Sequence, residues 1–307
     1  MSKRIKMIIN PNADMGNAWK YAADLRHIVE GHGETSWAGT VYPTHASILA
    51  QQAAEEGFDL VVAVGGDGTA HEVINGLMKV PKSKRPVFGI VPFGSGNDYA
   101  HNLGIPDNAK KALHAILNGD IREVDIGSIE DEKGRLEYWD NTINIGFGGN
   151  VTIFSHTMPL LRGFMMYFVA VLQTIFMRYV VLDVKIKIDG KDWNGQTMMI
   201  CLNNGPREGG GFITGPKAIM DDGIFDYQIL DKVSRLKMFR MIPEFMRGTQ
   251  ERFPIVSPGK FKKMEIESKQ PLVLHTDGEV YSGFRHDTHK LKVEILPKEI
   301  RVMVPKA

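Results

Sequence analysis

The residues of this chain that best combine type and spacing for chemistry are Gly65-Gly66-Asp67-Gly68-Thr69, placed between the apolar run Leu60-Val61-Val62-Ala63-Val64 and a helix-like segment from Ala70 to Met78. Glycine lets the backbone turn where a Cβ would clash, so successive N–H groups can line a concavity at the positive end of the next helix, where a phosphate binds. A carboxylate beside phosphates is repulsive unless a cation lies between them, so Asp67 points to a nucleotide with its Mg²⁺. The same residues also make a good tight turn. A second glycine turn, Phe93-Gly94-Ser95-Gly96-Asn97-Asp98-Tyr99, follows a second apolar run, Val87 to Pro92. In open α/β sheets ligands bind at the carboxyl ends of strands, so both loops would face one ligand. Neither loop carries the Gly-Lys-Ser/Thr of a Walker loop or the spaced dinucleotide fingerprint.

The stretches GGDGTAHEVINGLM and PFGSGNDYAHNLGIP resemble the diacylglycerol kinase family of lipid kinases, which includes sphingosine, ceramide and bacterial lipid kinases. The likeness extends to Asn10-Pro11-Asn12, Asp125-Ile126-Gly127, Asp221-Asp222-Gly223 and Asp277-Gly278-Glu279. NAD kinases share the fold and the first loop and are the near competitor, but Gly-Ser-Gly-Asn-Asp and the late Asp-Gly-Glu are lipid-kinase features.

The resemblance implies that ATP is contacted by Asn10, Asn12, Thr44 and the Gly66 to Glu72 loop (Gly66, Asp67, Gly68, Thr69 and Glu72 above all), with Ser95 and Asn97 on the facing loop. It implies that Asp67 organises the catalytic Mg²⁺ and that Glu279 accepts the proton of the attacking lipid hydroxyl, a poor nucleophile at neutral pH. Asn97 and Asp98 have a competing use as helix caps. Asp222 is the expected side-chain ligand of a structural Mg²⁺, with Ile219 and Ile224 giving main-chain oxygens, although a metal-free Asp-Gly turn fits the same residues. One departure is Asp14, where relatives commonly have glycine; an acid there repels triphosphate unless it is turned away or paired with Lys20.

Composition limits the alternatives. A chain of 307 residues with a formal net charge of +1 has room for two cores and no bias toward nucleic acid. The single cysteine, Cys201, cannot form an internal disulfide and lies in an apolar run, which suits packing in a reducing compartment. The ten histidines show no zinc spacing. The N-terminus, Met1-Ser2-Lys3-Arg4, enters a strand-like run without a signal-like segment, so the expected location is cytoplasmic. From Met158 to Leu182 the chain is greasy. Its uncharged part, Gly163 to Met177, is shorter than the roughly 20 residues of a spanning helix. That stretch suits a buried helix, an acyl-chain surface giving peripheral membrane contact, or a homodimer face.

The elements needed to position these residues are legible as a rhythm. Strand-like runs at 5–9, 60–64 and 87–91 alternate with helix-like stretches at 17–30, 46–56, 70–79 and 108–118, which argues for a doubly wound α/β domain. After Asp125 the period falls to two. Runs at 184–188, 198–202, 224–230, 261–267, 271–275 and 291–295, with an Asp189-Gly190 hairpin, argue for an antiparallel β-sandwich. The expected division is 1–125 for nucleotide, 126–296 for lipid, and 297–307 returning to the first domain. The reading is an ATP-dependent lipid kinase at a membrane surface, diacylglycerol being the first choice of substrate. An NAD kinase-like enzyme and an inactive nucleotide-binding regulator are the alternatives.

Overall fold

The computed structural model describes residues 3–158 and 161–306; Met1, Ser2, Ala307 and, within the greasy stretch, Pro159 and Leu160 lie outside the described residues. The chain divides into two compact units, Met1–Val124 with Lys298–Ala307, and Asp125–Pro297.

In the first unit, β1 (Arg4–Ile9), β2 (Glu34–Gly39), β3 (Leu60–Gly65) and β4 (Val87–Pro92) form a parallel sheet in the order β2-β1-β3-β4. All six residues of β3 and of β4 are buried, as expected of strands covered on both faces. The covering helices are α1 (Asn17–Glu30), α2 (His45–Glu55), α3 (Asp67–Met78), α4 (Asp98–Asn102) and α5 (Ala109–Leu117). Small residues let α2 and α3 touch: a Cβ on Gly76 would lie 2.1 Å from the Ser47 carbonyl oxygen. β2 was not anticipated, because its sequence Glu-Thr-Ser-Trp-Ala-Gly has neither an apolar run nor clean alternation. The C-terminal segment joins this unit through Val302, which pairs in parallel with Phe88, and through the buried Arg85, 2.7 Å from Glu299.

β5 (Asp120–Asp131) leads into the second unit, where the strands pair antiparallel. They are β6 (Leu136–Trp139), β7 (Thr142–Gly146), β8 (Leu182–Ile188), β9 (Lys191–Asn203), the short β10 (Arg207–Glu208) and β11 (Phe212–Ile213), β12 (Phe225–Asp231), β13 (Val256–Phe261), β14 (Lys263–Ser268), β15 (Leu274–Thr276), β16 (Glu279–Ser282) and β17 (Lys290–Val304). β9 changes partner along its length, pairing with β8 through Thr197 and lying between β7 and β12 from Met199. Its alternation separates two cores. Ile200 and Leu202 enter the sandwich with Trp139, Phe225 and Phe261, whereas Met199 and Cys201 face the helical side. That side holds residues of α6 (Phe147–Ser155), α7 (Gly163–Met177) and α8 (Arg235–Arg247).

The hairpin at Asp189-Gly190 forms as read, with φ of +47° and +85° at the two residues. The run 261–267 is two strands, because the chain leaves β12 at Phe261 and joins β8 and β17 from Lys263. Residues 271–275 contribute a strand only from Leu274. α8 escaped the period-two reading; Ser234 caps it by accepting from the Lys237 N–H.

Candidate active site

The two glycine turns of the first unit are packed backbone against backbone. A Cβ on Gly66 would lie 2.7 Å from the Cα of Gly94, and one on Gly94 would lie 2.5 Å from the Cα of Gly66. The helix that follows begins at Asp67, three residues before the reading of the sequence, with extended Gly66 as its N-cap. Gly68 and Thr69 thus lie in its first turn, where the Thr69 N–H donates to the Gly66 carbonyl at 3.0 Å. Thr69 Oγ1 accepts from Asn10 Nδ2 at 3.4 Å, and Asn10 Oδ1 accepts from the Asn12 N–H at 3.0 Å, so the end of β1 is tied to the start of α3.

The acids differ in use. Asp67 Oδ1 accepts from the Tyr99 N–H at 3.0 Å, while its Oδ2 and Asp98 Oδ2 converge on Gly96: a Cβ there would lie 3.1 and 2.9 Å from them. Both carboxylate oxygens pack against Gly96, where any side chain would collide with them. Asp98, which the sequence offered as a ligand contact or a helix cap, belongs to this pair. Glu72 reaches the other way. Its carboxylate accepts from the N–H groups of Thr44 (2.7 Å) and Ala46 (3.0 Å), stabilising the start of α2, and Thr44 takes a φ of +74° there.

Asn97 closes its own loop, accepting from the Gly94 N–H at 2.7 Å and donating to the Gly94 carbonyl at 3.1 Å; Ser95 is exposed at the tip. Asp14 accepts from Asn17 Nδ2 at 3.1 Å, and Asn17 Oδ1 accepts from Lys20 Nζ at 3.3 Å. Lys20 therefore reaches the Asp14 carboxylate through an amide.

In the second unit the Asp277-Gly278-Glu279 turn joins β15 to β16, with φ of +52° and +86° at its first two residues. Asp277 is buried. Its carboxylate accepts three main-chain N–H groups, those of Asp140 (2.9 Å), Asn141 (2.8 Å) and Thr142 (2.9 Å). Glu279 is exposed at the first position of β16.

Behind the turn a row of polar side chains crosses the sheet, His275 beside Asn144 and Asn144 beside Cys201. His275 Nδ1 accepts from the Gly278 N–H at 3.1 Å, and burial pushes its pKa down to about 4. Its Nε2 lies 3.8 Å from Glu208 Oε2. Glu208 accepts from Asn144 Nδ2 at 2.6 Å, and burial raises its pKa to about 7. Sequence reading missed Glu208 and His275; the available signal was an acid opening the run Gly209-Gly210-Gly211. These glycines, all with positive φ, approach Phe164 and Tyr167 of α7, and a Cβ on Gly278 would lie 3.8 Å from the Tyr167 hydroxyl. The apolar helix therefore lies beside the Asp-Gly-Glu turn, with Met165, Phe176 and Met177 exposed. Among the described residues no helix is long and apolar enough to cross a membrane.

The Asp221-Asp222-Gly223 turn is held by Asp125, whose N–H donates to the Met220 carbonyl (2.7 Å) and whose Oδ2 accepts from the Gly223 N–H (2.7 Å). Asp222 accepts from the Ile224 N–H at 3.3 Å and from Lys260 Nζ at 3.0 Å, and Ile219 is half exposed. A cation on Asp222, Ile219 and Ile224 has an ammonium to displace.

A family model described as the diacylglycerol kinase catalytic domain matches residues 4–129, and one described as the YegS C-terminal NAD kinase beta sandwich-like domain matches residues 141–304. A diacylglycerol kinase of Bacillus subtilis (strain 168) is 31% identical over 288 residues, covering 92% of this chain and 91% of its own. A diacylglycerol kinase of Staphylococcus aureus (strain MRSA252) is 31% identical, with 92% and 88% covered. A crystal structure described as a diacylglycerol kinase from Bacillus anthracis str. Sterne superposes with a TM-score of 0.72 at 20% identity, over 99% of this chain and 97% of that one, a likeness of fold. The chain belongs to the diacylglycerol kinase family and is a lipid kinase.

Proposed function

We propose that this lipid kinase transfers the γ-phosphoryl group of ATP to the free hydroxyl of diacylglycerol, giving phosphatidic acid, with Glu279 as the general base. The observation that carries the assignment is the division of labour in the Asp-Gly-Glu turn. Asp277 is occupied by three N–H groups, whereas Glu279 projects an exposed carboxylate from a turn so fixed. A base must be both accessible and oriented.

The side chains of Asn10, Asn12 and Thr69 and the Gly68 N–H at the start of α3 supply donors for the phosphates, and Ser95 adds a hydroxyl without charge. Thr44, Glu72 and Asn97 act mainly by fixing loop shape, given their main-chain bonds. Asp67 and Asp98 are the residues that would hold the catalytic Mg²⁺, whose chemistry when bound is to neutralise phosphate charge as it develops. Asp222 retains its proposed cation role only if the ion outcompetes Lys260. The lipid's acyl chains fit the apolar surface of α7, an arrangement suited to peripheral binding at a membrane from the cytoplasm.

The test is transfer of labelled γ-phosphate to a panel of lipids in mixed micelles, with NAD in the same panel. Labelled diacylglycerol, lost in Glu279→Gln, supports the proposal. Label on NAD, or ATP binding with no labelled product, contradicts it.

A further inference from the structure

Glu208 takes no part in the scheme above, yet the proton directions around it form a closed argument. Cys201, kept as a thiol by burial, donates to Asn144 Oδ1 (3.5 Å), which fixes the amide so that Nδ2 donates to Glu208. On the other side, the Gly278 N–H donates to His275 Nδ1, so the proton of the neutral ring is on Nε2, facing Glu208 Oε2 at 3.8 Å. Asn144 thus hydrogen-bonds one oxygen of Glu208, and the ring N–H of His275 faces the other at charge–dipole rather than hydrogen-bond distance. An ionised carboxylate accepts from Asn144 and attracts the ring N–H of His275; protonation removes that attraction.

We propose that Glu208 is a positioning residue for the Asp277-Gly278-Glu279 turn, acting through His275, and that only its ionised form holds the turn in place. The inference rests on the reading of Glu279 as the base. Gly278, which His275 grips, is bonded directly to Glu279, so releasing the ring frees the residue that must be aligned. The groups around the pair push in opposite directions. Asp277 faces Glu208 from the turn and disfavours its charge, while Asp277 favours and His156, following α6, disfavours a charge on His275. Cys201 on β9 and Asn144 and Thr142 on β7 face Glu208 as neutral partners, and Tyr167 of α7 packs on Gly209. The raised pKa of Glu208, about 7, puts the release within the working range of an enzyme.

The experiment is the pH dependence of kcat and KM from 5.5 to 9, with labelled ATP and diacylglycerol micelles, for the unmodified protein, Glu208→Gln, His275→Asn, the double variant and Glu279→Gln. Asn at 275 keeps an acceptor in place of Nδ1 but has no ring N–H to direct at Glu208. The unmodified protein should lose kcat below an inflection near 7, levelling off about tenfold lower once Glu208 is protonated. Glu208→Gln should lack that inflection, with kcat at pH 8 down about tenfold and KM for ATP unchanged. His275→Asn should also lack it, and adding Glu208→Gln to it should change kcat less than about twofold. A Glu208→Gln profile that superimposes on the unmodified one overturns the proposal, as does a double variant that falls by the full single-variant factor. If Glu208→Gln does not fold, an inflection persisting in His275→Asn overturns it. Full turnover in Glu279→Gln overturns instead the base assignment on which the proposal rests, whatever the Glu208 variants do.

Discussion

The nucleotide loops of the first unit and the Asp-Gly-Glu turn of the second both pair acids with glycines, but they are made rigid by different means. In the first, rigidity is local: glycine backbones touch at Gly66 and Gly94, Asn97 closes the loop it belongs to, and Glu72 caps a neighbouring helix. In the second, rigidity is assembled from strands far apart in sequence. The N–H groups at 140–142 clamp Asp277, and Glu208, Asn144 and His275 meet only because β7, β10 and β15 converge. A local site breaks through its backbone; an assembled one breaks through buried charge.

The largest effects should come from the two acids proposed to carry the chemistry. Asp67→Ala and Glu279→Gln should each lower kcat at least ~10²-fold. Thermal melts should separate them: the exposed Glu279 should leave the midpoint unchanged, while Asp67 loses its bond to the Tyr99 N–H and should cost about 1–2 kcal/mol. Gly66→Ala tests the local half. Its methyl would meet Gly94 main chain, so we expect roughly 1–3 kcal/mol of destabilisation and weakened ATP binding by calorimetry.

The pH dependence of stability tests the assembled half. Glu208, with its pKa raised to about 7, contributes stability that is lost as pH rises from the unfolded value near 4.5 to 7. His275, with its pKa lowered to about 4, contributes stability that is present above 6.5 and lost as pH falls toward 4. The two slopes oppose one another. Denaturation of the unmodified protein should therefore vary little between pH 4.5 and 6.5, whereas His275→Asn should lose stability as pH rises and Glu208→Gln should gain it, each by up to ~3 kcal/mol at about 1.4 kcal/mol per pKa unit. A smaller change, about 0.5–2 kcal/mol, is expected on removing the α2 cap by Glu72→Ala, measured by urea unfolding.

This contrast explains what the sequence made legible. Glycine turns after apolar runs are contiguous signals, so the Gly65 and Gly94 loops, the α/β rhythm and the Asp189-Gly190 hairpin could be read directly. Asp98 was visible but its pairing with Asp67 was not, because the convergence depends on the fold of α4 over Gly96. Glu208 and His275 carry no motif spacing at all; burial and strand register give them their role. The strand break at Lys262 did leave a trace, since Lys262 and Lys263 together interrupt the alternation between Phe261 and Met264.

The most direct test of the account is transfer of labelled γ-phosphate from ATP to diacylglycerol by the unmodified protein and by Glu279→Gln, with NAD present as a competing acceptor. The account predicts labelled lipid from the unmodified protein, at least ~10²-fold less from the variant, and no labelled NAD. Equal lipid labelling by the two proteins, or label only on NAD, would contradict it.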